Sequence, residues 1–190
     1  KVHYDPKNID MIKFLINSTS RRVRTHFEKK IYYDNWNFGI VKTSVMNFFK
    51  NDDIKLNWFP YHDKNRFFAD PFGIYYKNKL YIFFEELPFN SGKGHISFTC
   101  YENGNFSFPE KALEEPFHLS YPYIIKHQNN IYMIPEAHEY NKIIIYKSEN
   151  FPYSWKKEKV LIDNYPGVDT SIIEHSGLFW MFTSNKKDGV

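Results

Sequence analysis

Hydrophobic and polar residues follow one pattern that returns three times along this chain. The first unit, Phe67 to Glu86 (FFADPFGIYYKNKLYIFFEE), reads as an acidic turn, a strand, a polar hairpin tip at Asn78–Lys79 and a second, very apolar strand. The second unit, SYPYIIKHQNNIYMIPEA, begins at Ser120, and the third, VDTSIIEHSGLFWMFTSN, at Val168. Asp70 to Tyr81, Tyr121 to Tyr132 and Asp169 to Trp180 each span 11 residues, and the repeats start 51 and then 48 residues apart. Short strands recurring at a period of roughly 40–50 residues are the mark of β-propeller blades.

The pattern predicts strands over 72–77, 80–86, 94–101 and 105–108 in the first unit. It predicts 122–127, 130–135 and 142–147 in the second, and 170–175 and 178–183 in the third. Asn103-Gly104, Gln128-Asn129-Asn130, Gly94 and Gly177 supply turn chemistry between them. Phe151–Trp155 reads as a closing turn, and Trp180, mid-strand in LFWMF, is expected in the core. Each unit holds three or four antiparallel strands, the content of one blade. The expected fold is therefore all-β, an incomplete propeller of about two and a half to three blades, since closure takes four to eight.

Upstream the period changes. Asp5-Pro6 is a helix start, and Ile9, Ile12, Leu15 and Ile16 follow at helical spacing. A second helical piece, Arg21 to Lys30, carries Arg21, Arg22 and Arg24, read as a solvated face. Residues 1–33 are thus expected to be a helical lead-in or linker and 34–190 the partial propeller domain. Asn35 to Lys42 predicts a short aromatic strand, and Thr43 to Lys50 a brief helix with Val45, Met46 and Phe49 on one side. Trp58-Phe59-Pro60 opens an extended segment.

Composition narrows the partners. Aromatics are 20% of residues, which favours flat rings packed between sheets. A formal charge of +3 is too small to mark a nucleic-acid or membrane surface. The single cysteine, Cys100, excludes an intrachain disulfide and fits a reducing, cytoplasmic setting. No apolar run approaches the roughly 20 residues of a transmembrane helix. The chain opens on Lys1 rather than Met, so the absence of a targeting segment says little, and a fused domain upstream or downstream is expected.

Equivalent positions in neighbouring blades meet around one axis, which places Asp70, Tyr121 and Asp169 together. Two carboxylates facing one cavity are what glycoside chemistry needs, one as acid and one as base or nucleophile. Glu85, Glu86 and Glu136 end the second strands near the same mouth. Glu136 follows Pro135 at the end of an apolar run and needs a partner or water. The candidate catalytic residues are Asp70 and Asp169, and the candidate substrate-binding residues are Tyr121, Glu85, Glu136 and Phe72. Turn chemistry at Asp70-Pro71 and a strand cap at Asp169-Thr170 remain the alternative for each acid alone. No metal site is expected, because the histidines, His95, His118, His127, His138 and His175 among them, show no paired spacing. Ser91-Gly92-Lys93-Gly94 lacks the setting of a phosphate loop, Cys100 has no histidine beside it, and no cofactor is implied.

ADPF at 69–72, LYIFFE at 80–85, HLSYPYI at 118–124, YMIPEA at 132–137 and FPYSWKKEKVLI at 151–162 resemble the N-terminal domain of plant glucosamine inositolphosphorylceramide transferases. NWNFGIVK at 35–42 looks like that domain's opening strand, and similar bacterial domains stand beside a formyltransferase-like module. The resemblance implies a five-bladed propeller similar to those of glycoside hydrolase families 43, 32 and 68. In those enzymes an Asp in the first blade is base or nucleophile, matched here by Asp70. A third-blade Asp orients substrate, matched by Asp169, although VDTS stands where VDPF is expected. Their fourth-blade Glu has no counterpart in this chain. Three readings follow: a glycoside hydrolase-like or group-transferring propeller acting on a glycan or sugar conjugate; a non-catalytic glycan-binding module attached to a transferase; and a protein-interaction propeller whose acids only shape turns.

Overall fold

The computed structural model describes residues 8–18, 35–49, 55–61 and 63–188. The chain divides into two compact units, Lys1–Asp34 and Asn35–Val190. In the first, residues 8–18 form a helix whose Ile9, Ile12, Leu15 and Ile16 are exposed. The helical piece expected over 21–30, with its arginine cluster, lies outside the described residues.

The second unit is built almost entirely of antiparallel sheet. A two-stranded ribbon pairs β1 (Gly39–Val41) with β2 (Leu56–Trp58). A five-stranded sheet contains β3 (Arg66–Tyr76), β4 (Lys79–Pro88), β5 (His95–Glu102), β6 (Asn105–Phe106) and β7 (Glu110–Leu113). It runs in the order β3-β4-β5-β6, with β7 also on β5. A four-stranded sheet follows in chain order from β8 (Ser120–His127) through β9 (Asn130–Glu136) and β10 (Lys142–Asn150) to β11 (Ser154–Asp163). The last sheet pairs β12 (Gly167–His175) with β13 (Leu178–Asn185). All four sheets are open along their strand order among the described residues.

Alternation decides which side chain goes where. On β4, Ile82 and Phe84 face one way and Phe83 the other, and all three are buried. Phe84 and Ile82 join Phe38, Phe59, Phe68 and Phe106 in an aromatic core beside the β1–β2 ribbon. There Phe38 stacks on Phe59 with ring centres 4.6 Å apart, and Phe84 meets Phe68 edge-on at 5.4 Å. Phe83 joins Ile96, Phe98, Leu119, Ile124, Met133, Ile144 and Tyr146 in the core between the five- and four-stranded sheets. A strand buried on both faces reads as a continuous apolar run, which is why LYIFFE carries so little polar punctuation.

Several boundaries differ from the pattern. The first strand of each unit starts earlier, at Arg66, Ser120 and Gly167, because a bulge lets it run through Asp70, Tyr121 or Asp169. The first hairpin tip is Lys77–Asn78 rather than Asn78–Lys79. Tyr76 pairs with Lys79, and both tip residues take positive φ, 48° and 64°, as a type I′ turn requires. Asn103-Gly104 takes the same form, with φ of 52° and 86°. Strands β7 and β11 have no counterpart in the sequence expectation, and Ser154 and Trp155, expected in a turn, begin β11. The KKEK run is polar on both faces of an edge strand, so periodicity carries no signal there. Thr43 to Lys50 contributes only a 3-10 helix, Val45–Phe49, with Val45 and Met46 exposed. Trp180 is 50% exposed rather than in the core, as are its neighbours Leu178, Phe179 and Phe182 at similar levels.

Candidate functional site

Three β-bulges at one register organise the site. Ala69 pairs with Glu85 and Phe72 with Phe83, so β3 carries one more residue than β4 across that interval. The same extra residue lies between Ser120 and Tyr123 opposite Glu136 and Ile134. It recurs between Val168 and Ser171 opposite Ser184 and Phe182. The residue in the left-handed region of each bulge is Asp70 (φ 51°), Tyr121 (φ 42°) and Asp169 (φ 52°). Asp tolerates that backbone because its short side chain bonds locally, whereas a bulky tyrosine there is strained by ~1–2 kcal/mol. Strain kept at the same place in three hairpins marks a position held for what its side chain or amide presents.

The bulges are tied to one another. β3 lies against β8 and β8 against β12, so the three strained positions adjoin. The Tyr121 amide donates to Asp70 Oδ2 at 3.3 Å, and the Asp169 amide donates to Glu136 Oε2 at 3.2 Å. Tyr121 Oη meets Ser171 Oγ at 3.1 Å, and the Tyr123 hydroxyl donates to the Ile172 carbonyl. A bulge amide that would otherwise lack a ladder partner thus finds a carboxylate on the preceding sheet. Two of the residues opposite the bulges are also acids, Glu85 and Glu136. The result is a ring of four carboxylates, Asp70, Glu85, Glu136 and Asp169, from three sheets.

Electrostatics follow from this crowding. The surrounding protein and then the Glu85 carboxylate push the Asp70 carboxyl above the usual aspartate value, with smaller pushes from Asp169 and Glu136. The Tyr121 amide pulls the other way and loses. Asp70 still meets solvent, so this repulsion alters its protonation more than the stability of the fold.

Two histidines close the ring. His118 Nε2 lies 3.2 Å from Glu85 Oε1, while the Gly94 amide donates to its Nδ1 at 3.0 Å. Glu85 raises the His118 pKa. The Gly94 amide needs a lone pair on Nδ1, which assigns the neutral ring its proton at Nε2. Gly94 is fixed by space, since a Cβ there would stand 2.7 Å from the Leu119 carbonyl oxygen and 2.8 Å from Glu85 Oε1. His138 Nδ1 lies 2.8 Å from Glu136 Oε1. No group of three or more potential ligands among the described residues is arranged to hold a metal ion.

Of the residues singled out in sequence, Asp70, Tyr121, Glu85, Glu136 and Asp169 come together. Phe72, just past the first bulge, packs edge-on against Tyr123 with centres 4.8 Å apart, between two sheets. Glu86, grouped with them on sequence, points the opposite way on β4. It is held by Arg66, by Ser97 Oγ at 2.6 Å and by His95 Nε2 at 3.5 Å. Metal-ligand spacing in the sequence gives no sign of His118 and His138. Their signal is pairing with acids: His118 with Glu85, 33 positions away, and His138 with Glu136, two away, and only the His138 pair is local. Asn37 carries no signal in the sequence either. Its Nδ2 donates to the Phe59 carbonyl at 3.0 Å, and its buried Oδ1 has no partner among the described residues.

Residues 60–189 match the family described as glucosamine inositolphosphorylceramide transferase 1, N-terminal. The chain is 37% identical over 123 residues to glucosamine inositolphosphorylceramide transferase 1 of Oryza sativa subsp. japonica. It is likewise 37% identical over 123 residues to the protein of that name in Arabidopsis thaliana. Each alignment covers 64% of this chain and 16% of the relative, so the chain spans about a sixth of the length of the relatives it matches. No solved structure matches.

Proposed function

We propose that this chain, which belongs to the glucosamine inositolphosphorylceramide transferase 1 N-terminal family, is the sugar-conjugate-recognition part of a sugar-modifying transferase. Its binding face is the carboxylate ring of Asp70, Glu85, Glu136 and Asp169, with Tyr121 between them. In this reading the three bulged hairpins are the inner strands of adjoining blades, set radially as in the five-bladed propellers of glycoside hydrolase families 43, 32 and 68. No helix among the described residues is long and apolar enough to cross a membrane.

One observation carries the reading: the same bulge, with a left-handed residue at the same register, recurs in three sheets, and acids about a hundred positions apart, Asp70 and Asp169, come close enough to repel each other. Carboxylates accept hydrogen bonds from sugar hydroxyls in pairs, and four of them with a tyrosine hydroxyl suit a ligand rich in donors. Recognition is favoured over hydrolysis because Asp70 and Glu136 each spend an oxygen on a neighbouring strand's amide, which fixes them as acceptors.

The test is binding of a glycan panel to the wild-type chain and to Asp70→Asn and Asp169→Asn, followed by calorimetry on the best ligand. Each variant is expected to keep its melting temperature and lose at least tenfold in affinity, roughly one charge-assisted hydrogen bond. Unchanged affinity in both variants, or unfolding of both, makes the acids structural and ends the proposal. Steady release of nitrophenol from nitrophenyl glycosides, abolished by Asp70→Asn, would replace recognition with hydrolysis.

A further inference from the structure

Beside the carboxylate ring, on the outer edge of β3, lies a cavity of about 430 Å³, within the ~300–1,000 Å³ range of small-ligand pockets. One wall is the start of β3 with Phe67, Asp70 and Pro71, and Glu85 also lines the cavity. The other wall is the segment Trp36–Phe38, which precedes the family-matched residues. The Phe68 amide donates to the Trp36 carbonyl at 3.0 Å, and the Phe59 amide to the Phe38 carbonyl at 2.9 Å. Backbone bonds therefore fix this wall, with the ring of Phe38 anchored in the aromatic core. The Trp36 side chain is not consumed by packing and stays 60% exposed at the cavity's edge.

The chemistry of the lining is one-sided. Its carboxylates are acceptors, and the unmatched Asn37 Oδ1 just beneath the wall is another. The amide orientation of Asn37 is settled by the Phe59 carbonyl, which only Nδ2 can satisfy. Aromatic and proline faces make up most of the remainder. An occupant must offer a flat apolar face to the indole and several donors to the two carboxylates, and it must not carry negative charge.

We propose that this cavity is a second subsite for a neutral or amine-bearing pyranose ring, stacked on Trp36 with its hydroxyls directed at Asp70 and Glu85. It rests on the recognition reading above and extends it, because the ring of acids and the cavity share those two residues. A sugar conjugate spanning both would place adjoining units on either side of Asp70. The C–H face of a pyranose packs on an indole as an aromatic ring would, and its equatorial hydroxyls reach out to the sides.

The experiment titrates the chain with methyl β-glucoside, methyl β-galactoside, methyl β-glucosaminide and methyl β-glucuronide, followed by calorimetry and tryptophan fluorescence. Wild type, Trp36→Ala, Trp36→Phe and Asp70→Asn are compared. For the neutral and amino glycosides, Trp36→Ala is expected to weaken binding about tenfold, and Trp36→Phe to stay within about threefold of wild type. The melting temperature of both variants should match wild type, because the indole is exposed. The glucuronide is expected to bind at least tenfold more weakly than the glucoside. Trp36→Ala binding like wild type, or a glucuronide bound as well as the glucoside, overturns the subsite. If Asp70→Asn loses affinity while Trp36→Ala does not, the subsite falls and the recognition face stands. If wild type binds none of the four, both fall.

Discussion

Glu85 and Glu86 are adjacent carboxylates on one strand, and replacing the second with glutamine separates a structural acid from the binding face. Burial alone would raise the Glu86 carboxyl. Hydrogen bonds from His95, Ser97 and Arg66 more than reverse this and hold it down at about 2, against an unperturbed 4.5. At 1.36 kcal/mol per pH unit that difference corresponds to ~3 kcal/mol of fold stability. Arg66 is 40% exposed on its side chain, so solvent screens part of the attraction, and ~2–3 kcal/mol is the working figure. The folded-state value lies below the unfolded one. The contribution is therefore complete above about 4.5 and drains away as pH falls toward 2.

Glu86→Gln should thus lower the melting temperature at pH 7 by roughly 5–10 °C for a chain of this size. The wild-type advantage should shrink between pH 4.5 and 2 until the two curves nearly meet. Circular dichroism melts at half-unit pH steps measure both quantities. Sugar binding by the folded variant should be unchanged, since the side chain points away from the ring of acids. A variant melting within 1 °C of wild type at pH 7, or a stability gap that is constant from pH 7 to pH 2.5, would refute the argument.

Other outcomes follow from the same geometry. Phe84→Ala removes a fully buried ring that contacts Phe38, Phe59 and Phe68, and should cost ~3–5 kcal/mol in urea unfolding. Trp180→Ala, at a half-exposed position, should change stability by less than about 1 kcal/mol in the same assay. Gly94→Ala brings a methyl group against the Leu119 carbonyl and Glu85, and should lower stability by ~1–3 kcal/mol and shift the His118 ring resonances in NMR. Glycan affinity should fall as pH is lowered through a midpoint above the ordinary aspartate value of 3.8, because Asp70 takes up its proton early. Asp70→Asn should abolish that midpoint.

What could be read from the sequence alone was set by short-range physics. Alternation along β4 and β9, hairpin tips with Asn and Gly, and the 11-residue internal spacing are local properties, and they announced sheet structure and the equivalence of Asp70, Tyr121 and Asp169. Polar edge strands such as β11 announced nothing, because their periodicity is erased where both faces meet water. Tertiary structure alone decided the rest. A bulge is a one-residue mismatch between two strands, so neither strand's sequence contains it; it moved three residues into left-handed backbone and turned their amides toward a neighbouring sheet. Packing also chose between Glu85 and Glu86, identical in kind and adjacent in chain, by giving one to His118 and Asp70's neighbourhood and the other to Arg66. Only the folded chain could bring Trp36 and Asn37 beside Asp70, since a contact across more than thirty residues leaves no trace in spacing.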